Sequence, residues 1–415
     1  GVLWFEAMLQ PIKHIYYQTR KPKMKYNFDE VIDRRGTFSL KWDAGKLLKD
    51  FGLTERFDES TIPAFVADMD FQCPQPVIEA LHRVVDHRMY GYSAHFCEPA
   101  YNDAIIHWFK TRRNWEILPE EIVYVNGTVE ALRLSIEAFT LKGEGVIIQR
   151  PVYGPFTSSI ERTERTLVNS QLVNNDGYYS IDFEDLEAKC ADPKNKLYLL
   201  CNPHNPTGRV WNTAELTRLA EICRRHGVLI IADEIHGDIL RKGQNFQPIA
   251  SLVDSTHIIS LTAINKTFNT AGLHCSNAVI KDPVLRKKFQ DAAGFILPTP
   301  FAIATLIAAY NEGSEWLEQV NEYIDGNIDW LLDFLKNNMP KVKCFRPEGT
   351  YILWMDFRAY GLTAAEIHNR IYNQANVVLE GGHLFDPGQG DGFERICVPT
   401  RRALLAEAMQ RIAAE

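Results

Sequence analysis

Short, unbroken apolar runs alternate along the chain with longer stretches whose apolar positions recur every three or four residues. The runs are 122–126 (IVYVN), 146–149 (VIIQ), 197–201 (LYLLC), 228–232 (VLIIA) and 257–260 (HIIS). The helical stretches include 75–88, with Val77, Ile78, Leu81, Val84 and Val85 on one stripe, then 101–113 and 128–139. A further helix is marked by Asn212 as N-cap, Glu215 three residues on, and Gly227 as its stop. Strands that are apolar at every position are strands covered on both faces. Alternating with helices, they predict an α/β fold with a mainly parallel sheet.

After residue 310 the pattern changes. A long helix over 314–338 precedes strands at 342–345 and 351–357, a helix near 363–375, a strand VVLE and a glycine-rich loop over 381–392. A last helix starts at Arg402. Strands following a long helix predict a smaller α+β domain. The expected division is an N-terminal extension over 1–23, a segment over 24–74, a large domain over 75–312 and a small domain over 313–415. No low-complexity linker and no internal repeat separates them.

Composition narrows the class. The 415 residues carry 45 Lys+Arg against 53 Asp+Glu, a formal net charge of −8, which argues against a nucleic-acid or anionic-membrane partner. No apolar run approaches a membrane span; the longest, 301–310, is half the length needed. The first residues, GVLWFEAMLQ, lack a basic region and carry Glu6, a poor signal peptide. Eight cysteines form no C-x-x-C pair and several sit inside apolar runs, so they read as reduced thiols in a cytoplasmic protein. No Cys/His spacing suggests a metal site.

Candidate chemistry gathers where the strands end. In an open parallel sheet, ligands sit beyond the carboxyl ends. The residues following the five runs are Gly127-Thr128-Val129 at a helix start, Tyr153, the turn Asn202 to Arg209 containing Asn205, Asp233, and Lys266 in the stretch IISLTAINKTFNTAGL. One rim would then carry an anion-binding turn, an aromatic, an amide, a carboxylate and an amine. Each has a plain structural reading: a strand-to-helix turn, a core aromatic, a Pro-Thr-Gly turn, an N-cap, a solvated lysine. Glycines 388, 390 and 392 lack the strand–helix context of a dinucleotide fingerprint. Pyridoxal 5′-phosphate uses all five together: a lysine for a Schiff base, a carboxylate for the pyridine nitrogen, a stacking ring and a phosphate cup.

The pieces KYNFDEVIDRRGTFSLKWD, PAFVADMDF, YGYS, CNPHNPTGRVW, ADEIHGDI, NKTFNTAGL, PEGTYILWMDFR and GFERICVPTRR carry a resemblance. In this order they are similar to the fold-type I pyridoxal-phosphate enzymes of the aminotransferase superfamily, and within it to the cystathionine β-lyase, or C–S lyase, group. The resemblance implies the aspartate aminotransferase fold, with a mainly parallel seven-stranded sheet between helices and a smaller α+β domain.

It implies that Lys266 bears the cofactor, Asp233 pairs with the pyridine nitrogen, Asn205 meets the ring oxygen and Tyr153 stacks on the ring. Gly127, Thr128 and Val129 would bind the phosphate, with His236 near the ring. Arg395 would clasp the substrate α-carboxylate, and Tyr92 would reach into a second subunit's site, so a homodimer is implied. Asn265, Ala263 and His274 depart from the wider pattern, leaving Thr262 or His274 to complete the phosphate cup. The implied reaction is α,β-elimination from cystathionine or a cysteine-type amino acid to a thiol, pyruvate and ammonia. The rivals are an aminotransferase, which shares every one of these residues, and a regulatory or binding protein on the same scaffold.

Overall fold

A computed structural model describes residues 26–415; the expected extension over 1–23 lies outside the described residues. Seven strands form the central sheet: β1 (Ile122–Val125), β2 (Gly145–Ile148), β3 (Thr166–Asn169), β4 (Asn195–Cys201), β5 (Leu229–Asp233), β6 (Ile258–Ala263) and β7 (Ser276–Ile280). Their order across the sheet is β1-β7-β6-β5-β4-β2-β3. Only β7 runs against its neighbours, pairing antiparallel with β1 and β6; every other pairing is parallel. Because β7 is flanked by two antiparallel pairings, β1 points the same way as β6. The carboxyl ends of β1, β6, β5, β4 and β2 therefore share one edge.

The unbroken apolar runs are explained by two separate cores. Alternate residues of one strand enter different clusters: Tyr198, Leu200, Ile230 and Ala232 pack on one face, Leu197, Leu199 and Ile231 on the other. Both faces are roofed by helices, so a polar side chain there is costly unless it finds a partner. Two strands carry no apolar run. β3 is an edge strand whose residues are exposed or half-buried. β7 is wholly buried but begins with Ser276 and Asn277, and Asn277 accepts a hydrogen bond from the Tyr101 hydroxyl at 3.0 Å. The helix over Thr213–His226 has the expected reciprocal cap between Asn212 and Glu215, and Gly227 ends it at φ 70°. The long helix spans Ser314–Asn338. The apolar stretch near 301–310 lies in a helix, Pro300–Glu312, most of whose residues are buried. No described helix is long and apolar enough to cross a membrane.

A second, four-stranded antiparallel sheet contains β8 (Lys343–Cys344), β9 (Ile352–Asp356), β10 (Glu380–Gly381) and β11 (Phe393–Cys397), in the order β8-β9-β11-β10. The helix expected near 363–375 is α-helical over Ala364–His368 and widens into a π-turn over Asn369–Gln374.

The N-terminal segment is tied across this framework. Ile62–Pro63 pairs in parallel with Val377–Val378. Just beyond, Asp68 and Asp70 form a buried charge cluster. Arg34 binds Asp68 at 2.7 Å and Asp70 at 2.7 Å, Lys41 binds Asp70 at 2.8 Å, and the Trp42 indole donates to Asp70 at 2.9 Å. Lys41 is 1% exposed, so its charge depends on these carboxylates. Burial alone would push the Asp70 carboxyl up, but Lys41, Trp42 and Arg34 outweigh it and hold its pKa below the ordinary range. A depressed native pKa contributes stability above the unfolded value of about 4, and that stability is lost as pH falls through the native value. Asp70→Ala should cost about 3–5 kcal/mol in chemical denaturation at pH 7, because it leaves the buried Lys41 ammonium with only the more distant Asp68 carboxylate, 3.8 Å away. Between pH 7 and pH 3 the wild type should lose more stability than Asp70→Asn; equal losses would show that the cluster contributes nothing.

Candidate active site

Residues at the carboxyl edge of the central sheet meet residues of the second sheet and of the N-terminal segment. Asp233 closes β5, in register with Cys201 of β4 and Leu261 of β6. It is 5% exposed, and its side chain accepts one long hydrogen bond, from the Ile235 amide at 3.3 Å. Burial pushes its pKa up to about 6, with the charge of Lys266 acting against the rise. Such a carboxyl lacks a direct cationic partner and would be stabilised as an anion by one.

Lys266 is the third residue past β6 and is half-buried. Its amine donates to the carbonyl of Ala67 at 2.6 Å. Burial lowers its pKa from the ordinary lysine value; Arg395 adds to the fall, while Asp68 and Asp233 oppose it. The Tyr351 hydroxyl donates to the same Ala67 carbonyl at 2.8 Å. His236, 4% exposed, stands edge-on to Tyr351 with ring centroids 5.8 Å apart. Burial, then the charges of Lys266 and Arg395, push its pKa down to about 3, so its imidazole is neutral.

Arg395 lies in β11 and is 2% exposed. Nη2 donates to the Phe65 carbonyl at 2.6 Å, Nη1 donates to Asn205 Oδ1 at 3.2 Å, and the Glu380 carboxylate pairs with the guanidinium. The Asn205 oxygen thereby faces the guanidinium, which leaves its NH2 end to donate elsewhere. The Asn205 carbonyl accepts from the Tyr153 amide at 3.1 Å. Tyr153 is half-buried and feels the charges of Arg395, Glu380 and Asp233; burial raises its pKa. Several buried polar atoms here have no hydrogen-bond partner among the described residues: His236 Nδ1, Asn202 Nδ2 and Arg395 Nε. Unpartnered buried polar atoms near a half-buried amine suit a polar guest.

The structure thus brings Lys266, Asp233, His236, Arg395, Asn205 and Tyr153 into one charged neighbourhood. Gly127 is the N-cap of the helix Thr128–Phe139 on the same edge, at the end of β1; nothing lies within 4 Å of a Cβ placed on it, Thr128 is buried and Val129 is exposed. Three other candidates stand differently. Thr262 is in β6, buried, with its hydroxyl directed to the Asn277 carbonyl at 3.4 Å. His274 is exposed, at φ 52°, and its carbonyl accepts from the Tyr124 hydroxyl at 2.7 Å. Tyr92 is fully exposed.

The family comparison decides what this arrangement belongs to. The model for "Aminotransferase class I and II" matches residues 66–412. This chain is a class I and II aminotransferase-family protein. Among curated family relatives it is 41% identical to cystathionine β-lyase PatB of Bacillus subtilis, over 94% of this chain and 99% of that protein. Among solved structures it matches cystalysin of Treponema denticola, which contains pyridoxal 5′-phosphate, at 33% identity and TM-score 0.89, covering 94% and 98% of the two chains. It also matches the pyridoxal-phosphate-bound C–S lyase of Staphylococcus hominis at 34% identity and TM-score 0.87, over 94% and 98%.

Tyr351, Glu380 and the carbonyls of Phe65 and Ala67 escaped the sequence reading. A backbone carbonyl has no sequence signature, and Glu380 reads only as the end of an apolar strand. The motif PAFVADMDF drew attention by its two acids, yet the atoms it presents to the site are the carbonyls beside them.

Proposed function

We propose that this chain is a pyridoxal 5′-phosphate-dependent carbon–sulfur β-lyase acting on cystathionine- or cysteine-type amino acids. The products are a thiol, pyruvate and ammonia. One observation carries the reading: a lysine just past β6 and a buried carboxyl closing the adjacent, paired strand β5, on the rim of an aminotransferase-family sheet. The choice of elimination over amino transfer is supported by likeness to proteins named cystathionine β-lyase and C–S lyase over nearly the whole chain.

When bound, the cofactor supplies an electron sink conjugated to the substrate nitrogen, which acidifies the Cα proton. Lys266 would anchor it through Nζ. The same amine, held below the ordinary lysine pKa by burial, is suited to take the Cα proton. Asp233 would meet the ring nitrogen, and a cation there answers the desolvation that raises this carboxyl. Tyr153 would lie against the ring, with the NH2 end of Asn205 on its oxygen and the neutral His236 nearby. The free amides of Gly127, Thr128 and Val129 suit a phosphate at a helix start, with Thr262 the weakest member because its hydroxyl has a carbonyl partner. Arg395 would hold the substrate α-carboxylate. Loss of the Cα proton then drives the thiolate from Cβ.

The wider setting belongs to the same proposal. A homodimer is supported by the exposure of Tyr92, Tyr90 and Met89 in one stretch. A cytoplasmic setting is supported by eight free cysteines. The seven-stranded sheet falls within 75–312 and the four-stranded sheet within 313–415, in keeping with the proposed domain division.

Amino transfer remains the second reading, favoured by the name of the family model. Purified protein given cystathionine should release pyruvate and thiol with no 2-oxo acid added; an absolute requirement for one would reverse the order. Lys266→Ala should lose the cofactor's imine absorbance and pyruvate release by at least ~10²–10⁴-fold, the usual worth of a general base. Borohydride reduction and peptide mapping should place the adduct of the wild type on Lys266. Asp233→Asn should still form that adduct but turn over on the order of 10²–10³-fold more slowly.

A further inference from the structure

Arg395 already holds a carboxylate. Its guanidinium has five N–H donors, and their partners are unevenly assigned. Nη1 meets Asn205 Oδ1, Nη2 meets the Phe65 carbonyl and Glu380 Oε2, and Nε has no partner among the described residues. The pairing is built into the sheet. Glu380 and Arg395 are directly opposite on the antiparallel strands β10 and β11, where side chains on one face stand closest. Trp354 is the opposite neighbour on β9, and the guanidinium lies 5.0 Å from the Phe385 ring. Arg395 is thus packed in place. The Glu380 side chain is 25% exposed and is the member of the pair with room to turn away.

We propose that Glu380 sets the affinity of the carboxylate subsite: its carboxylate occupies Nη2 of Arg395 in the resting site and competes with the carboxylate of the incoming amino acid. The inference rests on the reading that Arg395 binds that group. A bidentate clasp needs two adjacent N–H groups, so a substrate that takes Nη2 must displace Glu380. A ligand bringing a carboxylate but no amine gains only this exchange of one anion for another. An amino acid gains the exchange and also the bond made by its nitrogen. Glu380 therefore lowers the affinity of all carboxylates and leaves amine-bearing ones ahead. A simple 2-oxo acid such as the pyruvate product is disfavoured, which keeps the site open for the next substrate.

The test compares wild-type holoenzyme with Glu380→Gln and Glu380→Ala. Propionate, a carboxylate without an amine, serves as the probe in calorimetric titration. Both variants should bind propionate at least threefold more tightly, and the KM for the amino-acid substrate should fall in the same direction. Inhibition by pyruvate should strengthen by a similar factor. Weaker or unchanged propionate binding in both variants, with the cofactor absorbance retained, would overturn the competition and leave Glu380 as a support for the arginine. Arg395→Gln separates the two levels. A raised KM there upholds the carboxylate-binding reading whatever Glu380 does. An unchanged KM would remove that reading, and the present inference with it.

Discussion

Two cationic side chains, those of Lys266 and Arg395, are held at the sheet edge by backbone and side-chain acceptors, and the supply of those acceptors is the constraint that shapes the site. Their charges are felt nearby: Arg395 adds to the fall in the Lys266 pKa that burial begins, and both charges add to the burial that keeps His236 neutral. Buried like charges cost several kcal/mol unless acceptors surround them. The acceptors come from three places. The carbonyls of Phe65 and Ala67 face the guanidinium and the amine, the Asn205 amide oxygen takes one guanidinium nitrogen, and Glu380 supplies the nearest opposite charge.

This explains why the N-terminal segment is held so firmly. Residues 65–67 can serve as acceptors only if their backbone does not drift, and they lie between two ties. On one side is the short parallel pairing of Ile62–Pro63 with Val377–Val378; on the other is the cluster of Arg34, Lys41, Asp68 and Asp70. The two aspartates work as anchors of the chain path. Electrostatics at the site and stability of the segment are therefore linked through adjacent residues.

The central sheet contributes differently. Its parallel strands end at a common edge, and the side chains placed there belong to the residues just past each strand. Asp233 is the last residue of β5, while Lys266 and Tyr153 sit a few residues beyond β6 and β2. The second sheet brings Arg395 to that edge from more than 100 residues later in the chain. The chemistry depends on the meeting of these two sheets, so small relative movements between them would change the separation of amine, carboxylate and guanidinium.

How much of this was legible beforehand depends on the kind of signal. Strands buried on both faces must be apolar throughout, so β1, β2, β4, β5 and β6 announced themselves, and so did helix ends governed by local hydrogen bonding, such as Asn212, Glu215 and Gly227. The edge strand β3 and the half-polar β7 did not, because exposure in one and partnered polar side chains in the other removed the apolar run. Lys266, Asp233, Asn205, Tyr153 and Arg395 could be singled out because their side chains stand at strand ends or in distinctive motifs. The roles of the Phe65 and Ala67 carbonyls, of Tyr351 and of Glu380 were decided only by the tertiary structure. Each acts through a partner between roughly 15 and 330 residues away, and such contacts are set by packing, which no local pattern encodes.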